Sequence, residues 1–444
     1  MLLQFRVKNY KSFAEEAVFS MEAAPKQKGL DYSLSNIKFR KRTIKGLSSS
    51  VIYGPNAAGK TNIIGAMDTL RSIVLRGNIR NAEEKGSPNP ASETLELIPN
   101  NTLENAQPVE FGIIFMEDGL FISYEVEMEL GLFLEAAHER KILRETLKIN
   151  EEVIFDRKDS LEIKNLDVIR EYLSDSVDMA QDGINQIAAN SLNREELFLM
   201  NGFKLLYSRN LVKLISDWFS NKFMVICRAD SLQLIKRFSD PQKPTLYIEK
   251  TTNRAAELFG INSNAVGYVT TDDDTNAKLC SIFKDDKNKK IATMAAELFE
   301  SYGTIRFVTI FPLVLKAVLT GGTLIVDEFD ASIHPMALMN IINIFHNDDI
   351  NTKHAQLIFN THNPIFLNSN IFRRDEIKFV ERDDDTHLSV IYALSDFGTT
   401  GDKGVRKHDD YMQHYFVSEY GAIKDIDFTP IFEEIMKSES DMKS

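Results

Sequence analysis

Short apolar runs bounded by polar or glycine-rich segments recur along this chain: Val51-Ile52-Tyr53, Leu324-Ile325-Val326 and Gln356-Leu357-Ile358-Phe359-Asn360. Each is too short for a buried helix and apolar throughout its interior, so each is expected to be a strand covered on both faces, as in a parallel sheet. After the first run, Ile63, Met67, Leu70 and Val74 fall at spacings of four, three and four, which places them on one helix face, and Gly77 ends that helix. Ile305 to Leu319 predicts a long apolar helix ended by Gly321-Gly322, directly before the second run. Between these halves the period changes to two. Val109, Phe111, Ile113 and Phe115 alternate before the turn Asp118-Gly119, and Ile122, Tyr124, Val126, Met128 and Leu130 alternate after it, which predicts an antiparallel hairpin. Residues 165–220 read as helical and include the single Trp218, and Lys222 to Cys227 reads as a strand returning to the core. The segment 78–107, rich in Gly, Pro, Asn and Glu, is expected to be a mobile or partner-facing loop. There are no repeats or sustained heptads, so a clamp with long coiled-coil arms is excluded.

The chemistry sits at the ends of these runs. Gly54-Pro55-Asn56-Ala57-Ala58-Gly59-Lys60-Thr61 satisfies GxxxxGK[ST] in full, with a strand before it and a helix after it. In that setting the backbone N–H groups of residues 56–62, including Asn56, Ala57, Ala58, Gly59 and Asn62, are expected to cradle phosphates. Lys60 reaches the β and γ oxygens, and the Thr61 hydroxyl binds Mg²⁺. The run 324–326 delivers two consecutive carboxylates, Asp327 and Glu328. Asp327 is expected to hold Mg²⁺ through water and Glu328 to polarise the attacking water. ATP and Mg²⁺ are therefore the expected cofactors of a nucleotide hydrolase.

Further segments carry a family resemblance. Glu300-Ser301-Tyr302-Gly303-Thr304, directly before the long helix, resembles the signature segment of ABC-type ATPases, although it departs from the LSGGQ form of transporters. The resemblance implies that Ser301 and Gly303 act in trans on the γ-phosphate bound by a second subunit. A plain helix N-cap is the alternative reading. Asp330-Ala331-Ser332 stands where such enzymes have a D-loop, and His362, in Thr361-His362-Asn363-Pro364, stands where they have a switch histidine. Arg306 is expected either to reach phosphate in trans or to form an ordinary salt bridge. His334-Pro335 is expected to begin the next helix, with His334 alternatively touching nucleotide across the interface. No glutamine equivalent to the ABC Q-loop is placed.

The opening Leu3-Gln4-Phe5-Arg6-Val7-Lys8-Asn9-Tyr10-Lys11-Ser12-Phe13 resembles that of the RecF, SMC and OLD (overcoming lysogeny defect) ATPases. Arg373-Arg374-Asp375-Glu376-Ile377, Leu394-Ser395-Asp396-Phe397 and Tyr420-Gly421-Ala422-Ile423 resemble stand-alone OLD-like AAA ATPases of bacterial abortive-infection and phage-defence operons. That resemblance implies a homodimer or higher homo-oligomer, a separately encoded effector (toxin or nuclease), and a nucleic-acid or phage-protein trigger. The Toprim nuclease domain of full OLD proteins is not expected in the tail after Gly421. The alternatives are a RecF-like DNA-binding ATPase of repair and a slow nucleotide-gated scaffold.

Composition refines this picture. The 444 residues are 43% hydrophobic, enough for two or three domains or lobes. A net charge of −13 gives a bulk field that repels nucleic acid. The basic run Lys38, Arg40, Lys41, Arg42 and Lys45 is the local exception, read as a solvated strand or turn, or else as a patch for nucleic acid or an acidic partner. Two cysteines, Cys227 and Cys280, provide no disulfide framework and point to a reducing cytoplasm. The N-terminus, with Arg6 and Lys8 in an alternating pattern, does not read as a signal peptide. Phe307 to Leu319 contains Pro312 and Lys316 and is expected to be short of a membrane span. Asp272-Asp273-Asp274 and Asp383-Asp384-Asp385 are expected to be solvated loops rather than metal sites. The expected architecture is an α/β P-loop NTPase with an ABC-type ATPase head, an antiparallel β lobe and a helical insertion. Residues 1–158 form the first half of the head with the β lobe, 159–290 a mainly helical insertion, 291–400 the second half of the head, and 401–444 a helical tail.

Overall fold

The computed structural model describes residues 1–25, 27, 29–80, 95–135, 138–227, 245–247, 250–270, 278–285, 290–399, 404–406, 409–424 and 426–441. Strands β1 (Leu2–Lys8), β2 (Ala17–Ser20), β3 (Leu34–Phe39), β4 (Arg42–Leu47) and β5 (Ser49–Tyr53) precede helix α1 (Lys60–Arg76). Next come β6 (Val109–Glu117), β7 (Leu120–Glu129), β8 (Lys141–Ile149), β9 (Glu152–Arg157) and β10 (Leu161–Ile163), then α2 (Asp175–Asn190), α3 (Lys204–Leu206), α4 (Arg209–Asp217) and β11 (Phe223–Ile226). The chain continues through β12 (Thr245–Tyr247), α5 (Lys250–Phe259), β13 (Ala265–Thr270), β14 (Lys278–Asp285) and β15 (Lys290–Ala295). It closes with α6 (Tyr302–Thr320), β16 (Thr323–Val326), α7 (Pro335–Phe345), β17 (Gln356–Asn360), β18 (Ile377–Arg382), β19 (Ser389–Ala393), α8 (Tyr411–Phe416) and α9 (Thr429–Asp441).

The three apolar runs become neighbours in one sheet, ordered β11-β16-β17-β5-β18-β19, parallel except for the β18–β19 hairpin. Strand alternation assigns its two faces. Ile52, Ile325 and Ile358 join the core that contains Ile63, Met67, Leu70 and Val74 of α1. Val51, Tyr53, Leu324, Val326, Leu357 and Phe359 join the core with α6 and α7. Helices on both faces make this an α/β P-loop NTPase fold. A second sheet, β10-β9-β8-β7-β6-β1-β2, is antiparallel throughout and carries the expected hairpin. Asp118 and Gly119 both take positive φ (50° and 76°), the geometry of a two-residue turn that follows strand twist.

Several expectations need correction. Residues 166–222 are rich in helical turns, but from Thr245 to Ala295 the chain forms a four-stranded antiparallel sheet, β12-β13-β14-β15, with α5 beside β13, so 159–290 is not a mainly helical insertion. Those strands are short and studded with polar residues such as Lys278, Lys284 and Lys290, which hides their period. Of the loop 78–107, residues 81–94 lie outside the described residues, whereas Leu95 and Leu97 are buried and Asn100 bonds to Asn9 and Lys11, so this part is anchored rather than mobile. Asp272-Asp273-Asp274 lies outside the described residues. Asp383-Asp384-Asp385 is the β18–β19 turn, closed by Asp383 accepting from Thr386. Helix α6 begins at Tyr302, three residues before the expected start, and its 19 residues are long and apolar enough to cross a membrane by length and composition. Phe307, Val308, Ile310, Leu313, Val314 and Ala317 are instead buried in the core it shares with the parallel sheet and α7, and Phe307 stacks on Phe259 of α5.

Candidate active site

The phosphate loop is the connection from β5 to α1. Gly59 sits at the helix N-cap with φ of 109°, and a Cβ there would meet the Ser389 and Ser12 hydroxyl oxygens at 2.7 and 2.8 Å, so only glycine fits. Ala57 also takes positive φ (62°), and such turns form the backbone nests that bind anions. Asn62 is tied to Ser12 (2.8 Å), and the Ser389 hydroxyl donates to the Ala58 carbonyl (2.6 Å). Asn56, Ala57 and Thr61 are exposed, while Ala58, Gly59 and Lys60 are buried. The Lys60 ammonium donates to the carbonyls of Gly54 (2.8 Å) and Pro55 (2.9 Å). Burial pulls its pKa down to about 8, opposed by the charges of Asp327 and Glu328.

β16 brings the carboxylates to this loop. The Thr61 hydroxyl lies 3.1 Å from both Asp327 oxygens, and Asn360 at the end of β17 donates its amide to Oδ1 of Asp327. Burial raises the Asp327 pKa, with the Glu328 charge acting the same way. The Asn360 and Thr61 hydrogen bonds and the Lys60 charge act against it. A hydroxyl and a carboxylate facing each other beside a lysine form a donor set that suits a hard, oxygen-seeking cation such as Mg²⁺. Glu328 is exposed and takes φ of 49°, a left-handed conformation that costs about 1–3 kcal/mol for such a residue. Two contacts hold it. Its N–H donates to Asn360 Oδ1, and its carbonyl accepts from Arg306 (2.6 Å), whose guanidinium also lies 3.3 Å from the Asp327 carbonyl.

Among the described residues Arg306 forms no salt bridge, and its guanidinium bonds the backbone of its own chain instead. It is a buried clamp on the turn that carries both carboxylates. Asn360 was likewise unassigned in the sequence, and the signal for it was a polar residue closing an otherwise apolar strand next to the carboxylate strand.

His362 is exposed at the end of the β17 segment. Burial and then the Lys60 charge lower its pKa, against the pull of Asp330, Glu328 and Asp327, so the imidazole is neutral at pH 7. Its neighbour Thr361 donates to Asp330 (2.6 Å), linking the segments 330–332 and 361–363. Ser301 caps α6 by accepting from the Thr304 N–H (3.1 Å) and bonds the Thr304 hydroxyl (2.8 Å). Gly303 is buried, and a Cβ there would lie 2.2 Å from the Ser332 carbonyl oxygen, so the signature and 330–332 segments touch backbone to backbone. Among the described residues no hydrogen bond joins 301–304 to the phosphate loop. The structure therefore brings Lys60, Thr61, Asp327 and Glu328 together, and leaves Ser301 and Gly303 in a separate segment with Ser301 exposed. His334 caps α7 with its Nδ1 accepting from Met336 (3.2 Å), which agrees with the helix-start reading.

A solved structure described as "Crystal structure of the SmcHead bound to the C-winged helix domain of ScpA" is similar at 13% identity, covering 88% of this chain and 97% of that one, with a TM-score of 0.35. No curated protein matches the chain. A family model described as "AAA domain, putative AbiEii toxin, Type IV TA system" matches residues 49–368, from the first residue of β5 to beyond His362. Because that match spans well over half of the sequence and both halves of the site, the chain belongs to this AAA-domain family.

Proposed function

We propose that the chain hydrolyses ATP in a Mg²⁺-dependent reaction at a site completed by a second copy, and that this cycle controls a separately encoded toxin or nuclease effector in bacterial antiviral defence. The observation that carries the reading is the strained Glu328, exposed beside the Thr61–Asp327 pair and fixed by Asn360 and Arg306. A backbone held this way carries the carboxylate on a fixed turn beside the metal-binding pair, where it can orient a water, and conformational strain at an exposed residue is a mark of function. Thr61 and Asp327 would hold Mg²⁺, which neutralises phosphate charge. Lys60 and the N–H groups of residues 56–62 grip the phosphates, and neutral His362 offers a hydrogen bond at the γ position.

Exposed Ser301 and the start of α6, unconnected to the phosphate loop of their own chain, support action in trans. The N-terminus of this helix presents partial positive charge to a partner's nucleotide. Closure of two copies on ATP and opening after hydrolysis is the motion available to drive an effector. The effector assignment leans on the family description and on the OLD-like resemblance of residues 373–377, 394–397 and 420–423.

Mixing two inactive chains tests the seam. Lys60→Ala loses its own phosphate loop and Ser301→Arg loses its signature segment, so a mixed dimer regains one intact site and the mixture should recover roughly a quarter of wild-type turnover. No recovery, with each variant folded and dimeric, would rule out catalysis in trans. For the effector reading, the test is whether the product of the neighbouring reading frame co-purifies with the Glu328→Gln chain in ATP and separates in ADP.

A further inference from the structure

A concentration of guanidinium groups at the far end of α1 has no part in the nucleotide chemistry above. Arg76 lies in the last turn of that helix, where its charge acts on Arg140, the residue before β8, and Arg80 follows just after the helix. Arg80, Arg140 and Arg194, with His138, Glu139 and Glu195, line a cleft of about 760 Å³. That volume admits a ligand the size of a mononucleotide.

The charges in this cleft are unevenly balanced. Arg80 is matched, pairing with Glu195 (3.2 Å) and Glu196 (2.6 Å), and His138 faces Glu129 (3.3 Å). Arg140 and Arg194 form no salt bridge among the described residues, although the charge of Glu195 acts on Arg140, and Arg76 lies behind the cleft rather than on its wall. Arg140 donates to the Ile79 carbonyl (3.2 Å), Arg76 donates to the Arg80 carbonyl (3.3 Å), and Arg76 Nη1 is buried without a hydrogen bond. Burial lowers the pKa of both Arg76 and Arg140, and the charge of Arg76 lowers that of Arg140 further, against the pull of Glu195. Half-buried cations that oppose one another, in a chain whose net charge is −13, are relieved by a bound anion. Arg140 and Arg194 on the cleft wall each offer paired N–H donors in a planar fork, the geometry that matches the oxygens of a phosphate.

We propose that this cleft is a second anion site, distinct from the phosphate loop, which binds the terminal phosphate of a phosphorylated ligand. A free nucleotide-sized metabolite and the phosphorylated end of a nucleic acid share this chemistry. The inference stands apart from the ATPase reading, since it uses none of the residues assigned to that site.

Pyrophosphate titrated calorimetrically into the full chain presaturated with Mg²⁺ and ADP tests it. The expected result is one saturable site that weakens about tenfold or more in Arg140→Gln/Arg194→Gln, with melting temperature and ADP affinity retained, and that persists in Lys60→Ala. Arg140→Gln alone serves as a second variant with the same expected direction. Competition then separates the sources. A 5′-phosphorylated dodecanucleotide that displaces pyrophosphate while its 5′-hydroxyl form does not assigns the site to nucleic-acid ends, and displacement by neither assigns it to small phosphorylated ligands. The proposal is overturned by absence of saturable binding, by binding unchanged in the arginine variants, or by equal competition from both oligonucleotides.

Discussion

The two large sheets differ in where they put their unusual residues. In the parallel sheet β5, β16 and β17 end at one edge in the phosphate loop, Asp327-Glu328 and Asn360-Thr361-His362, whereas the buried polar groups where these strands begin are bonded to one another, as Ser49 to His346 and Glu376 and Thr323 to Gln356. In the antiparallel sheet the ionisable groups pair across strands, as in Arg6–Glu125 (2.8 Å) and Arg144–Asp156 (3.0 Å), and the fully buried carboxylate of Glu145 is bonded to Tyr124 of the sheet and to the backbone of Phe198 and Leu199 in the helical segment packed on it. The first sheet leaves charge unsatisfied at its edge, available to a ligand, and the second satisfies charge internally. Chemistry should therefore fail when the edge is altered, and folding should fail when the buried carboxylate is altered.

The largest effect is expected at the edge. Glu328→Gln keeps the shape and the strained backbone but removes the proposed base, so turnover should fall by about 10²–10⁴-fold while ATP binding persists. Single-turnover hydrolysis read beside nucleotide affinity checks this. Comparable losses in both would make Glu328 a binding residue, and a small loss would favour the slow scaffold.

The opposite result is expected for Glu145→Ala. Glu145 accepts from the N–H groups of Phe198 (2.6 Å) and Leu199 (2.9 Å) and from the Tyr124 hydroxyl (2.9 Å), with Arg157 at 3.5 Å. Truncation strands a buried guanidinium and three donors, so about 3–5 kcal/mol of stability should be lost. Denaturant unfolding measures the loss, and ATP affinity well below the melting point should be unchanged. An equal loss of affinity would mean that the two lobes are not separable.

The same contrast explains what could be read in advance. The edge chemistry was legible because a phosphate loop and a carboxylate pair are local patterns, each complete within a few residues. The β6–β7 hairpin was legible because one face of it is buried and its turn residues are specific. The roles of Arg306 and Asn360 depend on α6 and β17 meeting β16, contacts between segments distant in sequence, and so left no local pattern. The sheet β12–β15 escaped because polar residues interrupt its period. The guanidinium cleft escaped because its arginines come from three separate stretches.

A smaller effect tests the contact between the signature and 330–332 segments. Gly303→Ala puts a methyl group 2.2 Å from the Ser332 carbonyl oxygen, a backbone atom that can yield only by moving the segment, at about 1–3 kcal/mol. Thermal unfolding should register that cost, and turnover should fall more than ATP affinity if the two segments act together at the seam. Equal effects on both would reduce the contact to packing.

The smallest effect is a pH dependence. Burial holds the Lys60 pKa at about 8, below its ordinary 10.5, and a bound triphosphate would raise it by favouring the charged form. Below pH 8 the ammonium is already charged in the free chain, so nucleotide affinity should not depend on it. Above pH 8 binding must recruit a proton, so affinity should decline by up to about tenfold per pH unit until the pKa of the bound form is reached. The same titration on Lys60→Arg, whose guanidinium stays charged throughout, should be flat over pH 7.5–9.5 even if affinity is lower. A decline that persists in the arginine variant would place the titrating group elsewhere on the edge. A flat wild-type profile would mean that the carboxylates of Asp327 and Glu328 keep Lys60 charged despite its burial, and the edge would then be closer to internal charge balance than the contrast between the two sheets allows.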